Sequence, residues 1–209
     1  MNLSYRNARL VDVPCIMSII NAAVERMLRE GKRQWDENYP SVTHIIEDID
    51  HGTARVLLDG DTIAVYGAVV STGEPAYDNI TDGDWLTDDT PYVTVHRLAT
   101  APDMQGRGLA TRFLDITCDM AARHGFRSMR IDTNHDNDRM LRLLPDNGFE
   151  RCGIVNYGHK GDRIAFERLI CPLPSPPSHA DAKFCSQLFK YHNTLNRIHR
   201  QESLNMSAF

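Results

Sequence analysis

The stretch VTVHRLATAPDMQGRGLA, Val93 to Ala110, decides how this chain folds. An apolar β-type run feeds a glycine-rich turn, and the turn opens a helix. Gly106 and Gly108 carry no Cβ, so the backbone can turn tightly and aim several N–H groups at one point. The helix that follows adds the positive end of its dipole, which completes a cradle for a phosphate or pyrophosphate. Two other glycine-loop chemistries fail on the residues. A Walker loop needs Lys-Ser or Lys-Thr after the last glycine and finds Leu109-Ala110, and a dinucleotide fingerprint needs a third glycine. An ordinary strand-to-helix corner also uses Gly-x-Gly, so the flanking sequence has to decide.

Downstream, Leu109 to His124 places Leu109, Phe113, Ile116, Met120 and Ala121 at helical spacing, and Gly125 stops the helix. A β run, Ser128 to Thr133, and a short helix, Asn137 to Leu144, precede Asn147-Gly148-Phe149. Upstream, Leu3 to Ala8 predicts a strand. Asp12 and Pro14 start a helix whose apolar face runs from Val13 through Ile16, Ile20 and Val24 to Leu28, ending at Gly31. A second helix is predicted over Ser41 to Ile49. Thr53 to Leu58 and Thr62 to Val70 form a hairpin through Asp59-Gly60-Asp61, and late strands over Glu150 to Tyr157 and Arg163 to Ile170 meet across a turn.

Gln105, two residues, Gly108, one residue, Ala110 resembles the coenzyme A pyrophosphate loop of the GCN5-related N-acetyltransferases (GNAT superfamily). His96 to Thr100 with Pro102 looks like that family's fourth strand and exit, and Asn147-Gly148-Phe149 is similar to its "Asn … Gly-Phe" segment. The resemblance covers residues 1 to about 170. It implies an α/β (α+β) fold: a central, mixed, mostly antiparallel sheet, splayed between the fourth and fifth strands and flanked by helices on both faces. The domain is assigned to residues 1–171. Residues 172–209 follow as a Pro-rich linker, Pro172 to Pro177, and a tail in which Phe184, Leu188, Tyr191, Leu195 and Ile198 fall on one helical stripe.

The activity implied is transfer of an acetyl group from acetyl-CoA to a primary amine of a small molecule or an exposed amino group, by direct attack in a ternary complex. Matching positions for the cofactor are Leu98, Ala99 and Thr100 for the pantetheine arm and Gln105, Gly106, Arg107, Gly108, Leu109 and Ala110 for the pyrophosphate, with Arg112 and Asn137 beside them. The Leu98 backbone N–H matches an oxyanion donor. An alkyl ammonium needs about 4–5 kcal/mol to become neutral at pH 7. His96 is the candidate base for that proton, and the same position equally suits a packed, hydrogen-bonded histidine. Family members commonly place a tyrosine seven residues after the asparagine at Asn137. Here that position is Leu144, so either another acid serves, with Tyr157 or Tyr92 as candidates, or the proton comes from solvent or from the amine itself, and a non-catalytic acyl-CoA-binding module with a partner-binding tail stands as the alternative.

For the acceptor, two segments qualify. Gly31 to Pro40 contributes Trp35 and Glu37, and Glu74 to Pro91 supplies six acids around Trp85 with no Lys or Arg. Acid-plus-aromatic walls suit a cationic amine, although a solvated acidic loop reads the same way. Asp132 is a further acceptor-side candidate. Net charge is −5 with no basic stripe, which argues against nucleic acid. Five scattered cysteines, no membrane-length apolar run and no signal-peptide core point to the cytoplasm. Neither a calcium loop at Asp132 to Leu143 nor zinc spacing among the histidines survives inspection, so no metal is expected. A homodimer is compatible with the tail.

Overall fold

Seven strands make one sheet: β1 (Leu3–Asn7), β2 (Ala54–Asp59), β3 (Thr62–Val70), β4 (Tyr92–Thr100), β5 (Ser128–Thr133), β6 (Glu150–Asn156) and β7 (Asp162–Leu169). In this computed structural model the order is β1-β2-β3-β4-β5-β7-β6, antiparallel throughout except for the parallel pair β4–β5. The structure describes residues 1–88 and 91–171, so the expected linker and tail lie outside the described residues.

Among the described residues, four α-helices cover the sheet: α1 (Val13–Arg29), α2 (Val42–Asp50), α3 (Leu109–Arg123) and α4 (Asp138–Asp146). Alternation along the strands divides the core. Leu57, Val93, Val95, Met129 and Ile131 face α3 and α4, whereas Val56, Leu58 and Ala99 face α1 and α2. A third patch, Tyr77, Val155 and Ala165 with Trp85, Tyr92 and Tyr157, lies under the connection between β3 and β4. No helix among the described residues is long and apolar enough to cross a membrane.

The elements agree with the sequence reading, with two shifts of face. In α1, Leu28, expected on the apolar face, is exposed, and Ile19 is buried instead. In α3 the buried stripe is Leu109, Phe113, Leu114, Thr117, Cys118 and Ala121, while Ile116 and Met120 are only half-buried. Thr117 can turn inward because its hydroxyl bonds the Phe113 carbonyl (2.8 Å) and the Tyr5 hydroxyl (2.9 Å). A buried polar group is tolerated once it is satisfied.

Two irregularities of β4 position everything that follows. The parallel pairing with β5 stops at Thr94↔Arg130, and beyond it the strands part. On the other edge the register with β3 passes from Ala68↔His96 to Tyr66↔Ala99, so Arg97 and Leu98 face the single residue Gly67. This is a β-bulge, and Arg97 adopts a left-handed φ of 55° there. Gly67 is required by space, since a Cβ would meet the Phe113 ring at 2.8 Å. Gly67→Ala should therefore cost about 1–3 kcal/mol of stability in urea unfolding through overpacking, and Phe113→Leu in the same chain should recover part of it.

Candidate active site

The parted strands open a cleft of about 390 Å³. One wall is β4 from Val95 to Leu98 and the other is β5 from Ile131 to Thr133. Residues of the α1–α2 connection, among them Trp35 and Tyr39, and of the β6–β7 turn, among them Tyr157 and Lys160, close its ends.

Arg97 fixes the bulge. Its Nε donates to Asp48 Oδ2 (2.8 Å), its Nη2 to Asp48 Oδ1, and its Nη1 to the Tyr39 hydroxyl (3.1 Å). Asp48 is 5% exposed and also accepts the Tyr66 hydroxyl. Burial pushes the Arg97 guanidinium down, but the hydrogen bond and charge of Asp48 override it and hold the guanidinium above its ordinary value. The Tyr66 phenol is pushed up, first by burial and then by the Asp48 charge.

On the face away from α3, His96 meets Glu74 with Nε2 to Oε2 at 3.2 Å. Burial raises the Glu74 carboxyl, but the His96 hydrogen bond and charge, helped by the Ala76 N–H, bring it net below the ordinary carboxylate range. Beside this pair, Asp132 Oδ1 accepts both the Tyr77 and the Tyr157 hydroxyls at 2.8 Å. Both phenols are pushed well up, by burial first and by the Asp132 charge second. His96, Asp132 and Tyr157, which lie far apart in sequence, thus line one cleft.

The glycine loop lies where the sequence put it. Gly106 and Gly108 have φ of 74° and 72°, and a Cβ at either would meet nothing within 4 Å. Both are exposed, so a ligand can approach the bare backbone. Gly108 is the N-cap of α3, whose first N–H groups have no intrahelical acceptor. Leu109 is buried and anchors that turn, and Ala110 is half-buried. Gln105 donates to the Thr100 carbonyl (3.5 Å) and accepts from Arg139 (3.2 Å). Arg107 folds back on the Asp103 carbonyl (3.1 Å), and Arg112 is exposed. Ala99 and Thr100 pair with Tyr66 and Val65 on the β3 side, while their β5-facing edge has no strand partner.

Other expected residues sit differently. Asn137 lines the cleft, but its Oδ1 accepts the Met140 N–H (3.4 Å) and its Nδ2 donates to Gln34 Oε1 (3.0 Å). Gln34 Oε1 also takes the Thr133 hydroxyl (3.3 Å) and the Asn134 N–H (3.4 Å), tying the α1–α2 connection to the start of α4. Trp35 is buried at the cleft, whereas Glu37 is exposed and does not line it. Trp85 is not a cleft residue either. Its ring stacks on the Arg130 guanidinium (4.2 Å) and its Nε1 donates to the Tyr77 carbonyl (3.0 Å). There it covers the buried Arg130–Glu167 pair, and Asp78, Asp82, Asp84 and Asp88 point to solvent. Of the described acids in this segment, only Glu74 reaches the site.

Glu74 as partner of His96, the Asp48–Arg97 pair, Gln34 and Tyr77 were not singled out by sequence. No local signal marks them, because each is defined by a contact across the fold. Asp48→Asn should cost about 3–5 kcal/mol in urea unfolding, since it leaves Arg97 buried without its counter-charge.

The profile of the acetyltransferase (GNAT) family matches residues 21–149. A GNAT-family acetyltransferase from Streptococcus agalactiae is 34% identical, with a TM-score of 0.73, over 80% of this chain and 95% of that one. A Salmonella typhimurium protein solved with its cofactor acetyl-CoA shares the fold at 19% identity, with a TM-score of 0.57 over 85% of this chain and 99% of that one. The ribosomal-protein-S18-alanine N-acetyltransferase of Escherichia coli does so at 15% identity, with a TM-score of 0.53 over 84% and 99%. Among curated proteins none matches. The family profile spans more than half of the chain, so this protein belongs to the GNAT family and is an acyltransferase.

Proposed function

We propose that the protein transfers an acetyl group from acetyl-CoA to a primary amine of a small molecule or an exposed amino group, by direct attack in a ternary complex. The observation that carries this reading is the open edge of β4, which runs from the glycine cradle at one end to the His96–Glu74 pair at the other. Support also comes from the Salmonella neighbour, solved with acetyl-CoA, and from the Escherichia coli neighbour, an alanine N-acetyltransferase by name.

The residues fit the cofactor. Bare N–H groups from Gly106 to Ala110 take the pyrophosphate, with Arg107 and Arg112 adding charge, and the unpaired edge of Leu98, Ala99 and Thr100 takes the amide arm. When bound, acetyl-CoA supplies an acetyl group activated as a thioester. The N–H of Leu98, a residue of the bulge, stabilises negative charge developing on the acetyl oxygen. His96 removes the amine proton. If Nε2–H donates to Glu74, Nδ1 is left as the accepting nitrogen. Asp132 holds the amine by charge, and Tyr77 and Tyr157 fix its orientation.

Tyr157 is a poor acid in this setting. A phenol raised above its ordinary value gives up its proton less readily than a thiol of pKa about 8.5, so Tyr157 orients Asp132 and the leaving sulfur takes its proton from the amine or solvent. Leu144 is fully buried in the core, so packing accounts for the absence of a tyrosine there. The non-catalytic alternative loses its main support with that.

Gly108→Glu should weaken acetyl-CoA binding by about a hundredfold or more in calorimetry, with circular dichroism unchanged, because it sets a carboxylate against the pyrophosphate. His96→Ala should lower kcat by about 10²–10⁴-fold and remove the acid limb of the pH–rate profile. A variant that keeps the wild-type profile would assign His96 to packing. Glu74 titrates below its ordinary value in the folded state, so its stabilising contribution is full above that ordinary value and is lost as pH falls through the folded one.

A further inference from the structure

The cleft carries charge of both signs. Asp132 lines it on β5, and His96, partnered by Glu74, lines it on β4. Arg33 from the α1–α2 connection and Lys160 and Arg163 from the β6–β7 turn and β7 line it as well, the Arg163 guanidinium 6.0 Å from the centre of the Tyr157 ring. The two walls face each other closely, with Lys160 Nζ lying 5.2 Å from the centre of the Tyr39 ring.

None of these three cations pairs with a carboxylate among the described residues. Arg163 donates only to the carbonyls of Lys160 (2.8 Å) and Asp162 (3.0 Å). Other cations around the site are neutralised. Arg97 has Asp48, Arg130 has Glu167, and Lys32 has Glu30 and Asp138. The remaining cleft carboxylate, Asp36, turns one oxygen into its own loop, where Oδ1 accepts the N–H groups of Asn38 (2.8 Å) and Tyr39 (3.0 Å).

Resting on the N-acetyltransferase reading, we infer that the acceptor is a small amine carrying an anionic group, a carboxylate or a phosphorus oxyacid, on one short skeleton. The amino end meets Asp132 and His96, and the acid meets Arg33, Lys160 and Arg163. A diamine or a lysine-rich peptide would place its second cation among three uncompensated positive charges, which is repulsive. Unpaired cations at a cleft mouth also attract anions from solution. This reverses the acidic wall expected from the sequence, because Trp85 and the aspartates beside it are directed elsewhere.

The test compares amino acids and aminoalkylphosphonates with their uncharged amides and with diamines. Binding to the full chain saturated with CoA is read by calorimetry, and thiol release from acetyl-CoA is read on the same set. The anionic amines should bind at least about tenfold more tightly than their amides, and this preference should shrink with added salt. Lys160→Gln, and separately Arg33→Gln on the opposite wall, should raise KM for the anionic amine about tenfold while kcat moves by no more than about twofold. The preferred acid type distinguishes carboxylate from phosphorus oxyacid. Amides or diamines that bind as tightly as the anionic amines overturn the inference, as do variants that weaken amide and acid equally. An anionic preference in binding with no thiol release from any amine overturns the acetyl-transfer reading, and with it the acceptor role, and leaves only an anion-binding cleft.

Discussion

A single buried carboxylate, Asp48, holds the backbone of β4 in a conformation that it would not otherwise keep. A left-handed residue other than glycine costs about 1–2 kcal/mol, and Arg97 sits there in mid-strand. Its guanidinium reaches Asp48 through two nitrogens, and Asp48 comes from α2, some fifty positions earlier in the chain. Without that anchor the bulge has no reason to persist. With it, Leu98 faces the gap, His96 meets Glu74 across the same face as Asp132, and β4 diverges from β5.

The divergence has a second requirement. A parallel pair that stops after three residues leaves backbone groups on both edges without ladder partners, which is costly where water is excluded. Side chains from outside the sheet brace the parted strand. Gln34 receives the Thr133 hydroxyl and the Asn134 N–H from the β5 side, and Arg130, at the last paired position, is clamped by Glu167 between the rings of Trp85 and Tyr92. The acidic segment before β4 therefore reinforces the closed half of the sheet while the open half stays free for ligands.

Much of this was legible in the sequence because it is local. The cradle at Gly106 and Gly108 depends on a few adjacent residues and the helix they open, and the seven strands and four α-helices of the described residues announce themselves by period and by their turns. His96, Leu98, Asp132 and Tyr157, candidates from the sequence, line one cleft. What escaped is non-local. The Glu74–His96 contact joins two segments whose meeting depends on the bulge, and the Trp85 ring has the same composition whether it lines a wall or covers an arginine. In α3, apolar periodicity alone favoured Ile116 and Met120 over Thr117, because the hydrogen bond that makes a threonine acceptable in a core cannot be seen in one dimension.

Gln34 has a thermodynamic consequence. Its one carbonyl oxygen is shared by the cleft wall that borders the acceptor and by the Asn137 amide at the cofactor-side turn. A ligand that draws the Asn137 amide to itself must release part of that hold on the acceptor wall, and an acceptor that tightens the wall must strengthen it. The two sites are then linked through a common hydrogen-bond acceptor, and whatever factor one substrate imposes on the affinity of the other is returned in equal measure. Whichever substrate binds first, the affinity left for the second would follow from the occupancy of one amide oxygen.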